Sequence, residues 1–400
     1  MKQLKAFFAK PIFSDWRLLL GLWLLLAVMA GVAKMAPERC NNFLIFEGVY
    51  WHAQEHLPLY DYYPEEYHDH NLYGPVFSLI VAPFALLPHA VGLILWLVAL
   101  TTALFFAVKG LPGRKGIQIF IYWFCAHELL TALFMQQFNI AVAAAIIGSF
   151  ALVEKEKESW ATLLIMLVGF VKIYAFAGLA FFFFSKHKKK FVGYSLMWAA
   201  VILVLPMLVW GADYVVTQYF DWYNCLVDKN NLNHHGENPS VSLLGFVQGV
   251  FGYAGSDLWL MVPGLLLFLI PYLRLSQWQN QSFRYAFLAS ALLFVVLFSS
   301  GSESSGYITA LAGVVLWFAA VPWKRRWWDV ALMVFAFVLT SMSPSDLFPA
   351  YLREHFVKPY ALKALPCMII WGKLIAEMLV CDYTSHQQFN SSTNQNSYDP

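Results

Sequence analysis

From Leu18 to Val380 the chain is a series of apolar runs, most of them near the length of a bilayer crossing, separated by short polar breaks. A helix of about 20 apolar residues matches the hydrocarbon core of a membrane and satisfies its backbone hydrogen bonds internally. Runs repeated in this way leave a bundle of membrane helices as the stable fold. The charge count agrees. Asp, Glu, Lys and Arg make up 12% of the 400 residues and hydrophobic residues 60%. A soluble domain carries about a quarter and about half. At about 20 residues per span, the apolar residues supply about 12 helices. The expected fold is an all-α polytopic membrane protein. A formal net charge of +2 argues against a nucleic-acid binder. The five cysteines form no CxxC or Cys/His spacing, so no metal site is expected. Cys40 and Cys225 both fall on the expected outer side, where a disulfide and two free thiols are alternatives.

Basic residues mark the cytoplasmic ends of spans. Lys2, Lys5, Lys10 and Arg17 precede the first apolar run, which reads as an uncleaved first helix. Lys186 with Lys188–Lys190, Lys324 with Arg325 and Arg326, and the pair Arg274 and Arg284 mark further cytoplasmic turns. Spans near 192–210, 257–274, 284–300, 306–322, 328–342 and 364–381 satisfy these marks. Spans at 75–87, 90–109, 117–134, 138–153 and 160–185 keep the parity. Arg114–Lys115 and Glu154–Glu158 then fall outside, and the first of these runs against the positive-inside rule. Lys172 falls in the middle of the last of these spans, which then reads as two half-helices. Both termini are expected in the cytoplasm of an inner, cell-membrane protein. Residues 1–385 are expected to form one membrane domain and 386–400, rich in Asn, Ser and Gln, a disordered tail. Two segments, 36–73 and 211–256, are too long for connectors and put the working surface outside.

The first of these outer segments carries chemistry. It holds Glu38, Glu47, Glu55, Asp61, Glu65, Glu66 and Asp69, four histidines, and a dense set of aromatic residues from Phe43 to Tyr73. Rings stack on the apolar faces of a sugar, carboxylates accept hydrogen bonds from its hydroxyls, and one carboxylate serves as general base. The same composition also describes an interfacial aromatic belt with solvated acids.

The strings Asn41-Asn42-Phe43, Leu59-Tyr60, Tyr63-Pro64, Tyr73-Gly74-Pro75-Val76-Phe77 and Ala82-Pro83-Phe84-Ala85-Leu86-Leu87-Pro88 together resemble glycosyltransferase family 87. Gln136-Gln137-Phe138-Asn139 is similar to that family's glutamine-to-asparagine turn, and Ile165–Tyr174, with Lys172, to its apolar helix ending in lysine. The resemblance implies a C-type membrane glycosyltransferase fold with long outer loops over a helical bundle. It implies a polyprenyl-phosphate-sugar donor that enters sideways from the lipid, with mannose the commonest sugar. The family's usual aspartate before the first motif's phenylalanine is replaced here by Asn42, and an amide takes no proton from a hydroxyl.

The expected catalytic base is therefore another carboxylate, Asp69 first and Glu47 second. Lys172, Gln136, Asn139, Asn42 and Tyr73 are the expected donor-binding residues; the lysine neutralises the departing phosphate. His235 and Glu237 are expected on the acceptor side, with a lipid or glycan as acceptor, membrane lipids as surroundings and inversion at the anomeric carbon. No cofactor beyond the lipid-linked donor is expected. A flippase for lipid-linked sugars and a non-catalytic relative that only binds the donor are the competing readings. A transporter concentrates polar groups inside its spans, whereas here they gather in the outer segments. Lys373 and Glu377, four residues apart in the last span, read as a structural ion pair.

Overall fold

A computed structural model of the chain describes residues 10–113, 115–235 and 240–384, with only the backbone at His234 and His235. The expected tail at 386–400 lies outside the described residues. Every regular element among the described residues is a helix. Three helices are long and apolar enough to cross a membrane alone, and a fourth span forms if one pair bent by 49° is counted as one. The other apolar helices run 10–17 residues. The chain divides into two compact units, Met1–His235 and Gly236–Pro400.

The first unit begins with α1 (Trp16–Lys34), capped by Asp15, whose carboxylate accepts the Arg17 N–H at 2.8 Å. Next come α2 (Asn41–Glu55), α3 (Phe77–Ala85), α4 (His89–Gly110), the bent pair α5 (Lys115–Phe124) and α6 (Ala126–Phe134), and α7 (Asn139–Glu154). The unit closes with α8 (Glu158–Gly169), a tight three-residue-per-turn helix over Ile173–Phe184, α9 (Lys188–Trp210) and α10 (Ala212–His235). Both long segments expected on the outer side thus contain regular helices. α2 occupies the first and α10 the start of the second.

The expected span at 160–185 is a hairpin. α8 ends at Gly169, the chain is extended at Lys172 (φ −139°, ψ 111°), and the second limb returns to where the first began. At the base Ser185 Oγ donates to Glu158 Oε1 at 3.0 Å, and Lys186 Nζ meets Glu156 Oε1 at 2.7 Å. Gly169 makes the closure possible: a Cβ there would stand 2.5 Å from the Phe176 ring of the returning limb. The limbs are about 18 Å and about 24 Å long at the rises of the two helix types.

This corrects the expected sidedness of two turns. Glu154–Glu158 shares an end with Lys186, not with the outer segments. Gly110 lies against Ala151 and Lys155, and Lys109 Nζ sits 3.7 Å from the centre of the Trp16 ring. Trp16, Lys109, Lys155 and Lys186 therefore gather at one end of the unit. At the other end lie Lys34, Tyr73, Gln137 and Lys172. The expected span 75–87 also changes meaning. α3 leaves the Tyr73 segment, and the next helix starts at His89, which bonds Glu47 and Cys40 of the outer segment. Both ends of α3 are on that side, so α3 turns back, while the hairpin runs from one end of the unit to the other and back.

The second unit holds α11 (Leu243–Phe251), α12 (Leu258–Leu269), α13 (Gln281–Leu297), α14 (Tyr307–Ala319), α15 (Trp327–Phe335, continued by a wider turn to Met342) and α16 (Leu365–Val380). The expected pair Lys373–Glu377 is present at 3.7 Å, inside a larger network. Arg325 meets Glu377 at 2.6 Å, and Lys373 meets Asp329 at 3.0 Å. Arg274 Nη1 bonds the carbonyls of Met378 and Cys381 at 2.9 and 2.6 Å. These basic residues hold the last helix in place, which is a structural task. In this unit Lys363, buried, donates to Ser304 O and Oγ, both at 2.8 Å.

Candidate functional site

The site in the first unit is built where three backbone segments meet: 71–75, the hairpin tip at 170–172, and the turn between α6 and α7. The Gly74 N–H donates to Val171 O at 3.1 Å. A side chain at 74 would put its Cβ 2.0 Å from Phe170 O and 3.0 Å from the Trp222 ring, so the contact requires glycine. From α10, Trp222 Nε1 donates to Leu72 O at 3.0 Å. Tyr60 OH donates to Tyr73 O at 2.9 Å and the Tyr73 N–H to Asn71 Oδ1 at 3.0 Å. Three backbone groups of the 71–74 segment are thus tied to other parts of the unit, and the Tyr73 N–H is held by Asn71 within the segment.

Tyr73 points inward from this segment. Its ring packs edge-on against Phe46 and Phe138, and its hydroxyl donates to Gln137 Oε1 at 2.8 Å. Lys172, half-buried at the hairpin tip, holds its ammonium 5.5 Å from the centre of the Tyr73 ring and 5.7 Å from that of Tyr174. Ring faces attract a cation without neutralising it. The arrangement presents positive charge over an aromatic floor, which suits an anion joined to a planar or apolar group.

The profile of glycosyltransferase family 87 matches residues 71–300, more than half of the chain. The chain belongs to glycosyltransferase family 87. The match starts at the Tyr73 segment and takes in the α6–α7 turn and the hairpin tip. Among curated proteins none matches the chain. Membership makes it a membrane glycosyltransferase.

Within this family 87 chain the candidate residues are distributed unevenly. Tyr73 and Lys172 are together. Gln136 is not beside them: its backbone is left-handed (φ 50°), its amide folds onto Phe134 O at 2.6 Å, and its carbonyl accepts from Trp96 Nε1 at 3.2 Å. The residue that faces Tyr73 is Gln137, which the sequence reading missed. The twin amides are distinguished by the left-handed turn at 136, for which neighbouring identical residues give no signal. Asn139 opens α7 and is buried. Asn42 Nδ2 donates to Met135 O at 2.7 Å, tying α2 to the same turn. An aspartate there has no hydrogen to donate.

The two base candidates sit in different surroundings. Asp69 is exposed, and its Oδ1 accepts the His70 N–H at 2.8 Å, four residues before Tyr73. Glu47 is largely shielded and accepts from His89 Nδ1 at 2.7 Å, while His89 Nε2 lies 3.1 Å from Cys40 Sγ. Burial pushes the Glu47 carboxyl above its ordinary range, and the His89 hydrogen bond opposes that. Burial also pushes the Cys40 thiol up to about 11. Cys40 and Cys225 are both free thiols. His52 Nε2 pairs with Glu66 at 3.1 Å under the Tyr63 ring. His235 ends α10, where only its backbone is described, and Glu237 lies outside the described residues.

Proposed function

We propose that this protein transfers a sugar, mannose by the family's habit, from a polyprenyl-phosphate donor to a lipid or glycan acceptor at the outer face of the cell membrane. The observation that carries the reading is Lys172 at the hairpin tip, resting over Tyr73 on the side of the outer segment. A phosphate bonded to a sugar carries one negative charge and gains a second as it leaves. A cation set where that charge develops lowers the barrier. The aromatic floor gives the sugar or the first prenyl units a surface to lie on.

In this reading the end that gathers Lys109, Lys155 and Lys186 is cytoplasmic, which brings the turns at 115 and 154–158 into line with the positive-inside rule. The termini are cytoplasmic, and about 12 crossings remain, with the hairpin's two limbs replacing one span and α3. Asp69 is the proposed base and Glu47 the second. Asp69 takes the acceptor hydroxyl's proton as the acceptor oxygen bonds to the anomeric carbon and the carbon–phosphate-oxygen bond breaks, which inverts the centre. Asn42, Gln136 and Asn139 order the α6–α7 turn beside the donor, and His235 and Glu237 are the proposed acceptor-side residues.

The purified protein, given a polyprenyl-phosphate mannose and a lipid or glycan acceptor, is expected to release polyprenyl phosphate and form an inverted product. Asp69→Asn is expected to abolish transfer and leave donor binding largely intact. Normal turnover in both Asp69→Asn and Glu47→Gln places the base elsewhere. One observation favours a second reading. Asn42 fills the family's usual aspartate position with a hydrogen bond that only an amide makes, as in a relative that binds the donor without transferring its sugar. Donor binding without transfer by the wild type would decide for that reading.

A further inference from the structure

Two adjacent glutamines at the α6–α7 turn have been divided between two jobs. Gln136 spends its amide on Phe134 O within its own turn. Gln137, buried, reaches across to take the hydrogen of the Tyr73 phenol at 2.8 Å. That same tyrosine is the floor under Lys172. Gln137 therefore acts on the cation through one intermediary ring.

We propose that Gln137 is a positioning residue for the donor phosphate, pinning the far end of the Tyr73 side chain and so holding the ring beneath the Lys172 ammonium. The inference rests on the reading of Lys172 as the phosphate's cation. The chemistry follows from the hydrogen bond's direction. A phenol whose hydrogen is committed to an amide oxygen has no hydrogen left for the phosphate, so the anion is met by the ammonium. Phe46, Phe138 and Phe77 pack on the ring and set its plane, and the bond to Gln137 pins the far end of the side chain and so where the ring lies. A long lysine side chain has many rotamers to lose, and a fixed ring face selects among them. Freed from Gln137, the phenol can turn its hydrogen toward the anion, and the side chain can shift from beneath the ammonium.

The test is a double-mutant cycle in the full-length protein with polyprenyl-phosphate mannose. Gln137→Met keeps the length and removes the acceptor; Tyr73→Phe keeps the ring and removes the donor. Each is expected to lower kcat about tenfold in a protein that remains folded at the assay temperature, with a lower Tm where a buried polar group loses its partner. The double variant is expected to be no slower than the slower single, because both remove one interaction. Multiplying effects, or a wild-type rate in Gln137→Met while Lys172→Met is inactive, overturn the inference and leave the donor reading standing. A wild-type rate in Lys172→Met, or a wild-type protein that neither uses nor binds the donor, overturns both. If the wild type binds without transferring, the same cycle is read on the donor Kd, where coupled losses are expected and additive ones overturn it.

Discussion

The hairpin from Glu158 to Phe184 has a lysine at each end of its structure, and the two are treated differently. At the base, Lys186 meets the Glu156 carboxylate at 2.7 Å, and His187 adds a contact at 3.3 Å to the same acid. At the tip, Lys172 lies over the faces of Tyr73 and Tyr174. A carboxylate fixes a cation by opposite charge, and a ring face attracts it through its quadrupole. The base is a structural lock, and the tip holds its lysine against two ring faces. The contrast also separates position from role. Both lysines belong to one folded-back element, yet only one is on the side of the outer segment.

The comparison breaks most visibly if the element is not a hairpin. Single cysteines placed at 156 and at 188 are expected to react with an impermeant reagent from the same side, and a cysteine at 55 from the opposite side. Labelling of 156 together with 55 would restore a single crossing at 160–185. The next effect concerns the tip alone. Lys172→Met keeps the stem and removes the charge, and turnover is expected to fall about 10²-fold or more with intact folding. Comparable turnover would make the tip as structural as the base.

Much of the helical layout was legible. The apolar runs at 90–109, 138–153, 192–210 and 364–381 fall on helices His89–Gly110, Asn139–Glu154, Lys188–Trp210 and Leu365–Val380. Hydropathy reports which residues avoid water and says nothing of direction, so a run that doubles back at Lys172 resembles one that continues. The available signal was electrostatic. Assigning Lys115 to the outside strained the positive-inside rule, and that strain disappears once the turns at 115 and 154–158 join the basic end. The site was legible in part. Tyr73 and Lys172 stood out as an aromatic motif and a cation in an apolar stretch. Gln137 did not, because the choice between two neighbouring glutamines is made by one left-handed backbone residue.

A smaller effect sharpens how the tip is held. Gly74→Ala forces a Cβ against Phe170 O at 2.0 Å, backbone that has little freedom to yield. The 73–74 segment must part from 171, carrying Tyr73 from beneath Lys172. The expected cost is about 2 kcal/mol or more of stability, in the range of overpacked sites, with a fall in turnover of about tenfold. Lower stability with an unchanged rate would show that the Gly74–Val171 contact does not set the lysine's place.

The smallest effect belongs to the base. The Lys186 hydrogen bond is the main cause that holds the Glu156 carboxyl below its ordinary value of 4.5, with its charge and His187 adding to it. A carboxyl lowered on folding contributes stability that is present above its unfolded value and is lost as the pH falls through the folded one. Glu156→Gln removes that contribution. The difference in Tm between wild type and Glu156→Gln is therefore expected to be small and constant above about pH 5 and to vanish in stronger acid. The pair is exposed, so added salt should shrink the difference as well. Turnover at neutral pH should be unchanged, because the base holds the limbs together and touches nothing at the tip. A variant with unaltered Tm but slower transfer would mean that the lock and the tip are coupled along the hairpin, and the division of labour between its two ends would be lost.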